Sequence, residues 1–306
     1  MKRSLGFRHK DRWAVILAGG EGKRLRSYIR RVAGRECPKQ FYPILGTTTL
    51  LEQTFARVWL RLAPERTLTV VNHAHEGFYS AISNIRLVPE LLVQPDNLGT
   101  APAILYALLV IAKRSANASV AIFPSDHYVS DDDRFMQYVD SAFDSTLRHP
   151  ETPVVLGIVP ARAELGYGWI EPGQQISNGA APPVFRISRF WEKPALHITR
   201  ELYRRSCLLN TFVIIGTVSS LIGAIASALP SMYISLNLAQ SALGNALKEV
   251  MTRAAYARIS RVDFSQSVLA GQAHKFAVMP ITDVEWSDLG EPERVIALRS
   301  REIKVA

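Results

Sequence analysis

The stretch Trp13-Ala-Val-Ile-Leu-Ala-Gly-Gly-Glu-Gly-Lys-Arg-Leu25 decides how the rest of the chain is read. Trp13 to Leu17 is a short apolar run of strand type, and Ala18-Gly-Gly-Glu-Gly22 ends it abruptly. Glycines at 19, 20 and 22 let backbone N–H groups approach a phosphate or a base closely. Lys23 and Arg24 then supply positive charge. The Gly-Gly-x-Gly spacing is not a dinucleotide fingerprint, and no Ser or Thr follows Gly22-Lys23 to make a Walker A loop. Taken alone, such a loop also fits a plain tight turn.

Working outward, strands and helices alternate. Thr47 to Leu60 reads as a helix with Leu50, Leu51, Phe55 and Val58 on one face. Leu68 to Asn72 is strand-like, a helix is expected near His75 to Ile85, and Glu90 to Gln94 is another strand. Thr100 is expected to cap a helix that carries Pro102 in its first turn and runs to about Arg114. Ser119 to Phe123 is a strand, and Asp131-Asp-Asp133 suits the positive end of the next helix, a structural role. This order implies an α/β fold with a largely parallel sheet covered by helices. The second half is less regular. Val154 to Ile158, Gly168 to Glu171, Val184 to Trp191, Asn210 to Ile215 and Phe276 to Pro280 look like strands. Two helices are expected between Thr217 and Tyr256, and a closing one from Glu291 to Arg301. No linker or internal repeat divides the chain. The expectation is a basic tail over 1–11 and one domain over 12–306, with an inserted subregion over about 155–265.

Bulk properties narrow the function classes. The chain has 306 residues, 48% hydrophobic and 21% charged, as in a soluble globular protein. Cys37 and Cys207 fit neither a disulfide framework nor a zinc spacing, and read as free thiols in a reducing, cytoplasmic setting. The formal net charge of +9 suits polyphosphate substrates. No arginine-rich helix, zinc motif or aromatic-basic motif accompanies it, so nucleic acid is not expected. The basic N-terminus lacks the apolar core of a signal peptide. Ser206 to Leu247 holds no charged residue. Its most apolar part, Val213 to Leu229, contains Gly216, Ser219, Ser220 and Gly223 and stops at Pro230, so no membrane span is expected. A buried strand and helix fit it better. A surface for a homodimer is the second reading.

Further motifs follow in order. Pro38-Lys39-Gln40-Phe41 offers a lysine as a point charge for phosphate. Gln94-Pro-Asp-Asn-Leu-Gly-Thr-Ala-Pro102 lies between a strand and a helix, where α/β sheets bind ligands, and Gln94, Asn97 and Thr100 suit a base. Phe123-Pro-Ser-Asp-His127 puts Asp126 at a strand end, positioned to hold Mg²⁺, with His127 beside it in a structural role. Tyr167-Gly-Trp-Ile-Glu171 and Trp191-Glu-Lys-Pro194 bring Glu171 and Glu192, suited to sugar hydroxyls, and Lys193, suited to a phosphate. Glu285-Trp-Ser-Asp-Leu-Gly290 adds Asp288 as a second possible metal ligand.

The order of these motifs resembles the sugar-nucleotide pyrophosphorylase family, closest to its mannose-1-phosphate guanylyltransferases, from about Trp13 to Arg299. The family's opening signature is matched by Leu17-Ala-Gly-Gly-x-Gly-x-Arg-Leu25 and its lysine by Lys39. The stretch Gln94-Pro-x-Asn97 with Gly99-Thr-Ala-Pro-Ala103 resembles the mannose branch's base-binding segment. The resemblance implies a Rossmann-like, three-layer nucleotidyltransferase fold with a mixed, mostly parallel central sheet, the subregion at 155–265 taking the sugar. It implies that Leu17, Ala18, Gly19, Gly20, Gly22, Lys23, Gln94, Asn97, Gly99 and Thr100 bind the nucleotide. Arg24, Lys39 and Lys193 would act on the phosphates, and Asp126 and Asp288 would hold Mg²⁺. Gly168, Glu171, Glu192, Asn210 and Thr211 would contact the sugar. The implied reaction joins an NTP, preferably GTP, to a sugar 1-phosphate, preferably mannose 1-phosphate, and releases pyrophosphate. No room is left in these residues for the β-helix, acyltransferase or isomerase domains of some relatives.

Four departures accompany the resemblance. Lys23 stands where the family has Ser or Thr, and the basic segment after Leu25 lacks its Trp-Pro. Phe212 replaces a glycine, which narrows the expected sugar pocket, and Ser265 replaces an aspartate common in the mannose enzymes. Two alternatives therefore stand beside the guanylyltransferase: a uridylyl- or thymidylyltransferase for another sugar phosphate, and a catalytically weak regulatory protein that binds sugar nucleotides.

Overall fold

A computed structural model describes residues 11–80, 89–177, 182–242 and 245–305. The expected basic tail up to residue 10, and the expected helix 75–85 beyond residue 80, lie outside the described residues.

The apolar run at the start forms β1 (Arg12–Leu17). Its side chains alternate between two cores: Ala14 and Ile16 face one, Trp13 and Val15 the other. That two-sided burial is why the run shows no polar alternation. β1 sits between β2 (Thr67–Asn72) and β4 (Ser119–Pro124), parallel to both, and β3 (Glu90–Gln94) lies parallel outside β2. The sheet continues through β9 (Leu208–Thr217), β6 (Val154–Ile158), β10 (Ala277–Ile281), β8 (Phe185–Glu192) and β7 (Gly168–Gln175). β7 also pairs with the start of β9, which turns that half of the sheet back on itself. Seven of the nine strands point one way and only β8 and β9 oppose them, so the sheet is mixed and mostly parallel. Helices cover both faces, which makes three layers.

Helix starts differ from the expectation where tertiary contacts compete for the capping group. In α1 (Lys23–Ala33), Gly22 takes φ +60° and leads the loop straight into the helix, burying Leu25, Tyr28 and Ile29 and turning the arginines outward. A Cβ on Gly22 would lie 3.0 Å from the Lys39 backbone nitrogen. α2 (Leu50–Val58) is capped by Thr49 with Glu52, a reciprocal capping box. α3 (Thr100–Arg114) has Gly99, at φ +94°, in the capping position. Thr100 is its first helical residue and not its cap, because its hydroxyl is committed elsewhere: it donates to Asp263 Oδ2 and accepts from the Phe264 N–H. α4 (Asp132–Arg148) is capped by Asp131, while Asp132 and Asp133 pair with Arg57 and Arg61, the structural role expected of that acidic run.

Residues 217–256 hold three helices where two were expected, the third running past the charge-free stretch. Pro230 does not end the region but opens a new helix at its first turn. They are α5 (Val218–Ala228), α6 (Pro230–Ser241) and α7 (Asn245–Tyr256). Met232, Leu236 and Ala239 are buried, whereas Ile234 and Leu238 remain 62% and 60% exposed. Among the described residues no helix is long and apolar enough to cross a membrane. A separate two-stranded ribbon, β5 (Tyr128–Val129) with β11 (Trp286–Ser287), ties the segment after β4 to the segment before the last helix, Pro292–Val305. Neither short strand has enough residues to show a period in the sequence.

Candidate active site

Two adjoining cavities open at the carboxyl ends of β1, β3 and β4, and Leu17, Gly20, Thr100 and Asp263 line both. The first encloses about 350 Å³ between the glycine loop, Gln94, Asn97, Gly99 and the segment bearing Arg261. The second, about 290 Å³, lies between Arg24, Asp126, Gly168, Glu192, Lys193, Asn210 and Asp288.

The glycine loop is held from behind by its carbonyls. Gln40 Nε2 donates to the Ala18 and Gly20 carbonyls, both at 2.8 Å, and Asn97 Nδ2 donates to the Gly19 carbonyl at 3.1 Å. Among the described residues no protein acceptor takes the Gly19 or Gly20 N–H. This is a cradle of backbone donors beside a basic helix start, suited to a polyphosphate. Gly99 is required by two features at once: its φ is +94°, and a Cβ there would meet the Val262 carbonyl oxygen at 2.3 Å. That contact is where the 261–263 segment closes over the loop, with Val262 N–H bonded to the Leu98 carbonyl at 2.8 Å.

The second cavity concentrates charge. Lys39 is 5% exposed; its Nζ lies 3.0 Å from Asp126 Oδ2 and donates to the Asp288 carbonyl at 2.5 Å. Pairing of β5 with β11 sets Tyr128 opposite Ser287, which brings Asp126 and Asp288 to the same end of the ribbon. Arg294 contacts Asp288 Oδ1 at 2.5 Å, and Arg24 contacts Oδ2 at 3.4 Å. Burial alone would raise the Asp288 carboxyl; Lys39, Arg294 and His127, when protonated, outweigh it and hold the pKa below its ordinary value. His127 is pushed down to about 4, chiefly by burial, so its imidazole is neutral at pH 7. Its ring packs edge-on against Trp286, a structural role.

Not every expected residue reaches the cavities. Lys23 points to solvent and pairs with Glu21 at 3.0 Å. Ala18 is sealed in the sheet, its N–H bonded to the Val70 carbonyl. Gly22 serves the start of α1. Thr211 is fully buried, donating to the Leu156 carbonyl at 2.6 Å, because alternate residues of β9 face opposite sides and Thr211 faces away from the cavity. Glu171 lies beyond Gly168 on β7 and is paired with Arg205. Asn210 does line the second cavity, but its Oδ1 is taken by the Phe212 N–H at 2.9 Å.

Sequence reasoning missed Gln40 and Asp263. Gln40 stood beside Lys39 in a quoted motif, yet carried no role. Asp263 matters more, since its carboxylate faces both cavities and binds Thr100. Asp263 and Ser265 both line the second cavity.

The oxygen donors suit a hard divalent cation. Mg²⁺ is held by one or two carboxylates plus substrate phosphates, with waters completing the shell. Asp126 and Asp288 in one phosphate-sized cavity match that demand. Among the described residues no group of three or more His, Cys, Asp or Glu forms a preassembled metal cluster.

A family model for nucleotidyl transferases matches residues 13–302. The chain is 27% identical over 293 residues to the mannose-1-phosphate guanylyltransferase RfbM of Salmonella typhimurium, covering 90% of this chain and 56% of that protein. It is 33% identical over 188 residues to the xanthan biosynthesis protein XanB of Xanthomonas campestris pv. campestris, covering 60% and 37%. The chain thus spans about half the length, or less, of these curated relatives. A solved mannose-1-phosphate geranyltransferase from Thermus thermophilus superposes with a TM-score of 0.79 at 27% identity, covering 94% of this chain and 79% of that one. A UDP-glucose pyrophosphorylase complexed with UDP-glucose shares the fold at a TM-score of 0.57 and 16% identity. With the family model covering nearly every described residue and the glycine cradle opening onto paired carboxylates, the chain belongs to the nucleotidyl transferase family.

Proposed function

We propose that this chain transfers the nucleotidyl group of GTP to mannose 1-phosphate with Mg²⁺, yielding a nucleotide sugar and pyrophosphate. The observation that carries the reading is the continuity of the two cavities. A space with a polar floor joins a charged space through the glycine loop, and residues 168, 192 and 210 line the charged space beside Asp126 and Asp288. The relatives named for mannose 1-phosphate support the choice of sugar and base.

In this reading the first cavity takes the base. Gln94, Asn97 and the Gly99 backbone face it, and the glycine-loop amides take the phosphates. An oxygen of the sugar phosphate attacks the α-phosphorus in line. The new O–P bond forms as the bond from the α-phosphorus to the β-bridging oxygen breaks, and that electron pair leaves with pyrophosphate. The attacking oxygen is already anionic, so no general base is needed. Bound Mg²⁺, held by Asp126 and Asp288, would supply charge neutralisation on the phosphates. Lys39 and Arg24 would oppose the charge that develops on the leaving pyrophosphate. Lys193, whose Nζ rests on Glu192 at 2.5 Å, would hold the sugar phosphate, and Glu192 and the Asn210 amide would meet sugar hydroxyls. The 155–265 subregion provides this sugar side.

The test is a matrix of GTP, ATP, UTP, CTP and dTTP against mannose, glucose and other sugar 1-phosphates, read as pyrophosphate release. Turnover confined to GTP with mannose 1-phosphate is expected. Release with UTP or dTTP and glucose 1-phosphate would move the chain to another branch of the family, and none with any pair would end the transferase reading.

A further inference from the structure

Gln94 ends β3 on the floor of the first cavity and is 2% exposed. Its two amide atoms have different fates. Oε1 accepts from the Tyr256 hydroxyl at 3.1 Å. Nε2 lies over the glycine loop, 2.9 Å from where a Cβ on Gly19 would sit, and donates to nothing among the described residues. A carboxamide looks nearly the same either way round, so its orientation must be argued from its partners. Tyr256 settles it. The hydroxyl belongs to the last residue of α7, is 1% exposed, and has no other hydrogen-bond partner among the described residues. Burial pushes its pKa well above the ordinary tyrosine value, so it stays a donor. If the amide flipped, Nε2 would face the hydroxyl oxygen and the phenolic proton would have no acceptor, an orphaned buried donor. The ring is itself wedged edge-on against Tyr106, with centroids 6.3 Å apart, so it has little freedom to seek another partner.

We propose that Tyr256 is a specificity-determining positioning residue: it locks Gln94 so that only Nε2, a donor, faces the base. Such a lock selects nucleotides whose base carries a carbonyl at that edge and rejects those carrying an amino group. Guanine O6 and uracil or thymine O4 accept; adenine N6 and cytosine N4 donate and would meet a second donor. The inference rests on reading the first cavity as the base site. It adds how the site chooses among bases through a residue that never touches them.

The test is equilibrium binding of GTP and of ATP by calorimetry, without sugar phosphate, to the wild type and to Tyr256→Phe. The wild type is expected to bind GTP more tightly. In the variant the amide is free to turn, so ATP affinity should rise and the GTP:ATP preference narrow about tenfold, equivalent to ~1.4 kcal/mol. GTP affinity itself should change less than about twofold, since the productive orientation remains available. An unchanged ratio in a variant that melts cooperatively would overturn the lock, as would a wild type that prefers ATP. Should Tyr256→Phe fail to fold, Gln94→Leu tests the same point. Removing the Nε2 donor should narrow the GTP:ATP preference about tenfold, and an undiminished preference would overturn the proposal. The transferase reading fails separately: a narrowed ratio in a protein that releases no pyrophosphate with any sugar phosphate would leave the lock standing and remove the reaction.

Discussion

Replacing Lys39 by Met removes one charge and nearly keeps the side chain's length. Lys39 is buried, 3.0 Å from Asp126 and bonded to the carbonyls of Asp288 and Leu289 at 2.5 and 3.4 Å. A unit-charge pair at that separation has a gross attraction of ~5 kcal/mol at an effective dielectric near 20. Asp126 keeps 30% of its side chain exposed, so water screens part of this. Burying the ammonium also costs several kcal/mol, which the Met variant no longer bears. What remains is a half-buried carboxylate without its cation and two carbonyls without their donor, a net loss of ~2 kcal/mol. For a chain of this size that is a fall in Tm of roughly 4 °C. The rate should suffer more. If Lys39 meets charge that develops on the leaving pyrophosphate, kcat falls about 10²–10³-fold while KM for the nucleotide moves little. Scanning calorimetry and a coupled pyrophosphate assay, run on the substrate pair that turns over, read the two effects separately. A Lys39→Met protein that melts with the wild type and turns over within about threefold of it would refute both the buried-bridge and the leaving-group arguments.

Asp288→Asn should raise the Mg²⁺ concentration for half-maximal pyrophosphate release by about tenfold or more, because one of two anionic ligands is lost; an unmoved Mg²⁺ titration would remove Asp288 from the metal site. Phe212→Gly relieves a non-glycine residue at φ +62°, a strain of ~1 kcal/mol, and sacrifices its edge contact with Phe264. Stability should therefore stay within ~1 kcal/mol while KM for the sugar phosphate falls severalfold, and an unchanged KM would show that the ring lies off the sugar's path. His75 has its pKa held below the ordinary value, first by burial, with Glu21 opposing and Arg26 assisting. A depressed imidazole pKa means the folded state disfavours the proton, so its contribution is full above about pH 6.5 and is lost as pH falls through the folded pKa. His75→Phe, between the Phe41 and Phe78 rings, should flatten the loss of Tm between pH 7 and pH 5, and an equally steep loss would assign that pH dependence to other groups.

Most of the sheet was legible because both-face burial writes itself as apolar runs. β1, β2 and β6 lie where those runs predict, and Asp126 and Asp288 follow β4 and β11. What was not legible depends on contacts remote in sequence. Thr100 has the composition of a cap, yet Asp263, 163 residues away, takes its hydroxyl. Thr211 was paired with Asn210 on the family resemblance, but successive residues of a strand face opposite sides, and Thr211 turns inward. Lys23 adjoins the glycine loop but leaves it on the outer side of the first helical turn. Asp263 escaped notice because a single carboxylate in a loop has no pattern; only the fold shows that it lines both cavities.

Backbone strain is the other property that residue types conceal. Of the four non-glycine residues with positive φ among those described, Lys193 and Phe212 line the second cavity and Leu289 follows Asp288 directly. Each is pinned through its own N–H: Lys193 to the Tyr167 carbonyl at 3.2 Å, Phe212 to Asn210 Oδ1 at 2.9 Å, Leu289 to Ser287 Oγ at 3.1 Å. Every acceptor belongs to a residue on the cavity wall or its flanking strand. A conformation that costs of order 1–3 kcal/mol survives only when its surroundings over-determine it. Here the over-determination has a common result: it turns the chain so that the ammonium of Lys193, the ring of Phe212 and the carboxylate of Asp288 converge on one space. Glycine at any of the three would relax the backbone; at 193 or 212 it would also remove the side chain that the turn aims, and at 289 it would loosen the turn that aims Asp288. That is a physical reason for a phenylalanine to persist at φ +62°, where its backbone alone would favour glycine.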